Sequence, residues 1–144
     1  MKRDPNLVGL SHHHHYALVL ARHIRLALEG DEGTTAVRAE LAEHYADWIQ
    51  GHFDVEEELL LPALEAAGMQ AIATRTRGEH TRLRELHGAI DGDDGVLGAF
   101  GEALSEHVRF EERELFPLCE RTLDPSVLAA VAARTKSAMS PTVP

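Results

Sequence analysis

The sequence predicts an all-α fold, an up-down-up-down antiparallel four-helix bundle with a short C-terminal helix. Three observations lead there. Apolar residues recur every three or four positions along four long segments. Almost nothing alternates with the period of a strand. The breaks between segments are short and rich in Gly and Asp, with "GDEG" at 30–33 and "DGDDG" at 91–95, so successive helices fall back as antiparallel neighbours.

The first helix is expected over about 10–29, with Leu10, His14, Ala17, Ala21, Ile24 and Leu28 on one face and Gly30 as its stop. The second spans about 35–66, and its inward stripe is Val37, Leu41, Tyr45, Trp48, His52, Glu56, Leu59 and Ala63. Pro62 lacks an N–H and should kink or loosen the last turns; Gly68 ends the segment. The third spans about 69–90, with Ile72, Thr76, His80, Leu83, His87 and Ile90 facing inward. Asp93 or Asp94 caps the fourth, which runs to about 122 and carries Phe100, Leu104, His107, Glu111, Leu115 and Leu118. Asp124-Pro125 opens a final helix over about 125–136, and the "SAMSPTVP" tail is expected to be loose.

Composition bounds the function. A chain of 144 residues and 15.8 kDa, 44% apolar, is long and apolar enough for one globular domain. That domain is expected over 1–144, with a core at 10–122 and a short helix and tail at 123–144. A net charge of −10 repels phosphate backbones and anionic lipids, so neither nucleic acid nor membrane is an expected partner. Bound cations would neutralise part of that charge. Cys119 is the single cysteine, which excludes an internal disulfide and a cysteine-based zinc site. The start lacks the continuous apolar core of a signal peptide, and the longest apolar run, at 127–133, is too short to cross a bilayer. A reduced, cytoplasmic setting is the expectation.

The chemistry lies in a repeat. "HFDVEEELLLP" starts at His52 and "HVRFEERELFP" at His107. Each holds His-x-x-x-Glu, then an apolar turn and a proline. Residues four apart share a helix face, so His52 pairs with Glu56 and His107 with Glu111. Both pairs sit on stripes that are otherwise apolar. Burying a carboxylate there is costly unless it is paired or binds a metal, and two carboxylates facing each other across a core repel. Cations held between them remove both costs, and helical bundles build dinuclear carboxylate sites in this way. Helix one adds His14 and helix three adds His80, so each hairpin offers two imidazoles and one carboxylate. That ligand set, without thiolate, suits non-haem iron. Glu56 and Glu111 are the natural bridges; Glu57 and Glu112, one position on, are the alternatives. His13 fits the same helical step as His14.

His14, "HFDVE" from 52, "GEH" ending at 80 and "HVRFE" from 107 together resemble the haemerythrin-like, HHE cation-binding family, over about 10–120. The resemblance implies a four-helix bundle holding an oxo- or hydroxo-bridged di-iron centre. It also favours His14 over His13 as the helix-one ligand. Members are associated with oxygen binding, with peroxide or nitric oxide handling, and with iron or redox sensing. The sequence departs from the oxygen carriers at two places. Arg84 stands where carriers have a second helix-three histidine, and helix four reads His-x-x-x-Glu in place of His-x-x-x-x-Asp. Fewer imidazoles leave more open positions on an ion, which favours chemistry over oxygen storage.

The expected function is binding or turnover of a small oxidant (oxygen, hydrogen peroxide or nitric oxide) at a metal set of His14, His52, Glu56, His80, His107 and Glu111. No side chain stands out as a catalytic acid or base. An iron- or redox-sensing module is the alternative, and a metal-free interaction protein is disfavoured by the doubled ligand set. Tyr45 and Trp48 read as core, His12 and His15 as exposed, His23 and His44 as surface or boundary, and His87 as core or rim. Phe110 and Val55 are expected to line a dry pocket. Arg75, Arg77, Arg82 and Arg84 read as a solvated basic face, and Cys119 as a small buried residue. "DGDDGVLGAFGE" mimics a calcium loop, but Val96 stands where that loop requires glycine.

Overall fold

The computed structural model describes residues 2–138. The chain is helical, with no strand among the described residues. Helix α1 is Val8–Glu29 and α2 is a continuous run over 35–66. Helix α3 is Gln70–Gly88, α4 is a second continuous run over 94–122, and α5 is Pro125–Ala138. Residues 139–144, most of the tail expected to be loose, lie outside the described residues.

Local chemistry sets the ends. The N–H of Gly30 closes α1 on the Leu26 carbonyl at 3.1 Å. After α2, Gly68 takes φ +85°, which a side chain would strain. That turn lets the Met69 N–H reach the Leu64 carbonyl at 2.8 Å. Asp93, not Asp94, caps α4, its Oδ1 accepting the Val96 N–H at 3.0 Å.

Three π-turns interrupt the long helices: Tyr45–Ile49 and Glu56–Leu60 in α2, and Glu111–Leu115 in α4. Two of them begin at the paired glutamates and end just before a proline. The N–H of Leu61 bonds back to the Glu56 carbonyl, and that of Phe116 to the Glu111 carbonyl. Pro62 and Pro117 follow, with no N–H to give and a ring that crowds the carbonyl four residues back. A wide turn ahead of each proline relieves that conflict, so the loosening expected at Pro62 is one π-turn and the helix continues to Ala66.

Each π-turn inserts one residue and moves the buried stripe on by one. Beyond Glu56 the core receives Leu60 and Leu64, not Leu59 and Ala63, which are half-buried. Beyond Glu111, Phe116 and Cys119 are buried and Leu118 is half-buried. Helix α1 needs a smaller correction. Its stripe is Ala17, Leu20 and Ile24, with Ala21 half-buried and Leu28 37% exposed. A strict seven-residue pattern drifts ~20° per heptad on a straight helix, which carries Leu28 off the core.

Helix α1 packs along α4 and touches α2 and α5; α3 lies against α4 and the last turns of α2. Helix α5 covers the middle of α2 and part of α1. Phe53, Phe100, Phe116, Leu20, Ile24 and Leu64 are fully buried between them. That apolar packing is the frame around a polar centre. No described helix is long and apolar enough to cross a membrane.

Candidate metal centre

The structure brings His14, His52, Glu56, His80, His107 and Glu111 together in the interior, none more than 4% exposed. All four imidazoles present Nε2. Glu111 reaches every one of them. Its Oε1 lies 2.8 Å from His14 and 3.4 Å from His52. Its Oε2 lies 3.2 Å from His107 and 3.8 Å from His80. Glu56 splits its oxygens likewise, Oε2 at 3.0 Å from His52 and Oε1 at 2.9 Å from His80. Each carboxylate therefore offers one oxygen to each half of the site.

Two overlapping groups result, His14-His52-Glu56-Glu111 and Glu56-His80-His107-Glu111. Within each, the donor atoms lie within 4.8 Å of one another. The donors fit a cation. Both oxygens of Glu56, Oε2 of Glu111, and Nε2 of His80 and His107 are buried and have ion-pair contacts but no well-directed hydrogen bond. Buried polar atoms without directed partners are expensive. Five of them aimed at one small region are accounted for by an ion that takes their lone pairs.

The far side of each imidazole is also held. His14 Nδ1 donates to Glu112 at 2.6 Å, His80 Nδ1 to Glu57 at 2.7 Å, and His107 Nδ1 to Glu79 at 2.6 Å. His52 differs: its Nδ1 meets Nδ1 of His13 at 3.0 Å. The three carboxylate contacts place a ring proton on Nδ1 of His14, His80 and His107 and leave Nε2 of each to face the centre. Arginines brace the outer acids. Arg84 is 2.7 Å from Glu57, Arg75 is 3.0 Å from Glu79, and Arg3 is 3.1 Å from Glu112. Arg3 also reaches Glu120 at 3.1 Å, pinning the segment before α1 across α4.

Charge is tightly coupled here. Burial lowers the pKa of His52, but Glu56 and Glu111 outweigh it and hold it at about 9. Burial likewise opposes, and Glu111, Glu56 and Glu57 override, for His80, which is pushed up to about 11. His107 stands at about 9 through Glu111 and Glu79, against its burial. Glu111, despite burial, is held well below the usual carboxylate range by His107, His14 and His52. His13 is pressed the other way, to about 3, by burial and by its imidazole neighbours. Without a metal, protons on the imidazoles neutralise the buried acids; an ion would replace those protons.

A cavity of about 10 Å³ adjoins the donors, lined by His14, His52 and His107 with Ala17, Trp48, Ile49, Phe53, Leu104 and Val108. That is room for about one water-sized molecule. Phe110 and Val55, expected on this wall, are buried elsewhere; Phe110 lies beneath the Arg75 guanidinium, 3.9 Å from its ring centre. Both directly precede the inward glutamates and so face away from them. His12, His15 and His23 are exposed, His44 is half-buried, and His87 stacks on Tyr45 with ring centres 3.5 Å apart.

The spacing argument missed Glu79 and gave His13 no role of its own. Both directly precede an inward histidine, so the register of the repeat could have found them. It also read Arg84 as solvated, where it is half-buried against Glu57; Arg75 is exposed, as expected, and reaches Glu79 from the surface.

No curated protein and no solved structure matches the chain. Residues 7–119, well over half of the 144, match the family described as the Hemerythrin HHE cation binding domain. The chain, with its two buried His/Glu groups able to hold a metal, belongs to that family.

Proposed function

We propose that the chain is a non-haem di-iron protein that binds or reacts with a small oxidant: oxygen, hydrogen peroxide or nitric oxide. In this reading its long helices run up-down-up-down about the centre, and it works in the cytoplasm. The observation that carries the proposal is the convergence of His14, His52, His80 and His107 on Glu56 and Glu111, beside a cavity of about 10 Å³.

When bound, two irons would supply Lewis acidity and a redox couple that no side chain of the chain offers. The chain's own residues do the rest. The imidazoles hold the metal positions through Nε2, while Glu57, Glu79, Glu112 and His13 fix the rings. Glu56 and Glu111 neutralise charge and span both positions. Ala17, Ile49, Phe53, Leu104 and Val108 keep the cavity apolar and limit it to a ligand of one or two heavy atoms.

Visible absorption of the iron-loaded protein, before and after peroxide, with metal analysis, tests this. Two irons per chain and the charge-transfer band of a bridged ferric pair are expected. Fewer than two irons with no such band would refute it.

A second reading is an iron- or redox-sensing module without turnover. The buried donors without directed partners favour it, because they make stability depend on occupancy. Catalytic loss of peroxide, absent in Glu56→Ala, supports turnover. Stoichiometric reaction with a large stability gap between metal-free and loaded protein supports sensing.

A further inference from the structure

The two metal positions are built by a sequence repeat, and the repeat fails at one residue. His14 and His80 are equivalent, each backed by the acid that follows an inward glutamate, Glu112 and Glu57. His52 and His107 are equivalent too, and each should be backed by the residue just before the other histidine of its own half. For His107 that residue is Glu79, at 2.6 Å. For His52 it is His13, at 3.0 Å.

The proton count makes the difference definite. If Nε2 of His52 holds a metal, its ring proton is on Nδ1. His13 Nδ1 must then accept, so His13 is neutral. Glu79 accepts as an anion, and a carboxylate acceptor raises the basicity of the ligand behind it far more than a neutral imidazole does. Arg75 offsets little of this, because it is half-exposed and screened while Glu79 touches the ring directly.

We propose that the two positions are unequal: the His80–His107 position fills first and holds metal tightly, and the His14–His52 position, backed by His13, is the weaker, exchangeable one. This rests on the metal-binding reading above. Of the three imidazoles that line the small cavity, His14 and His52 belong to the weaker position and His107 to the tighter one.

Cobalt(II) titration of the metal-free full-length chain, followed by visible absorption with equilibrium dialysis, tests the proposal. The first ion should bind at least about tenfold more tightly than the second, the low end of what an outer-contact partner is worth. E79Q should weaken the first step by about tenfold and bring the two together. H13E should strengthen the second. Repulsion between two ions would by itself order identical sites. In that case E79Q would leave the first step unchanged and weaken only the second, which would overturn the proposal. Two ions bound in steps insensitive to both variants would overturn it while leaving the metal-binding reading intact; no cobalt bound would refute both.

Discussion

The His14–His52 half and the His80–His107 half share an inner arrangement and differ outside it. In both, two Nε2 atoms face the same two carboxylates. In both, the helix carrying the glutamate opens into a π-turn at that residue and meets a proline six positions on. The outer contacts are looser copies. Helix α2 has an extra π-turn at Tyr45–Ile49, whereas α4 is regular α-helix from Asp94 to Phe110. The extra turn holds Trp48, whose ring lies 5.0 Å from His13 and whose Nε1–H donates to His44 at 2.7 Å. Symmetry is kept where buried charge must balance. It lapses where the need is only for a hydrogen-bond acceptor behind a ring, since imidazole or carboxylate will serve.

The sharpest way to break the comparison is to remove what the halves share. Glu111 touches all four imidazoles, so Glu111→Ala should abolish binding of both ions, read as metal per chain after dialysis. Retention of two ions would show that the halves do not meet at this residue.

Removing the metal should expose the charge coupling. A histidine raised from 6.5 to about 9, as His52 and His107 are, stabilises the metal-free fold by on the order of 3 kcal/mol. Because the two share Glu111, their contributions do not add. The stabilisation is fully present below pH 6.5 and is lost as pH rises through about 9. Denaturant midpoints of metal-free protein should therefore fall between pH 7 and 10. Metal-loaded protein, whose imidazoles carry no such proton, should lack that fall. A flat metal-free profile would count against the coupling.

A gentler probe compares equivalent outer acids. Glu57→Gln and Glu112→Gln should each weaken metal binding by about tenfold, in competition with a chelator. A large disparity would mean that the repeat is only apparent. The smallest effect is expected from Arg75→Ala. Its pair with Glu79 is exposed enough that stability should change by no more than about 0.5 kcal/mol. A larger loss would mean that Arg75 matters through its place over Phe110.

Much of the inner site was legible because a four-residue step is visible in one dimension. His-x-x-x-Glu twice, with an inward histidine ahead of each, needs no tertiary knowledge to be seen. The π-turns were not legible, because a widened turn uses the same residues as a regular one. The clue was Pro62 and Pro117 at the same distance from each glutamate, and its cost was a one-residue error at Leu59, Ala63 and Leu118. His13 stayed ambiguous for a different reason. Two adjacent positions both fit an inward stripe, and only the neighbouring helix decides which ring nitrogen each one meets. Arg84 looked like basic surface because its partner, Glu57, lies on another helix.

The clasp made by Arg3 bears on how the chain is handled. Its guanidinium steadies Glu112, which fixes His14, so the first few residues are mechanically connected to the interior. An affinity label or fluorescent fusion joined directly ahead of Lys2 would tug on that linkage. The same label placed after the final helix would leave it undisturbed.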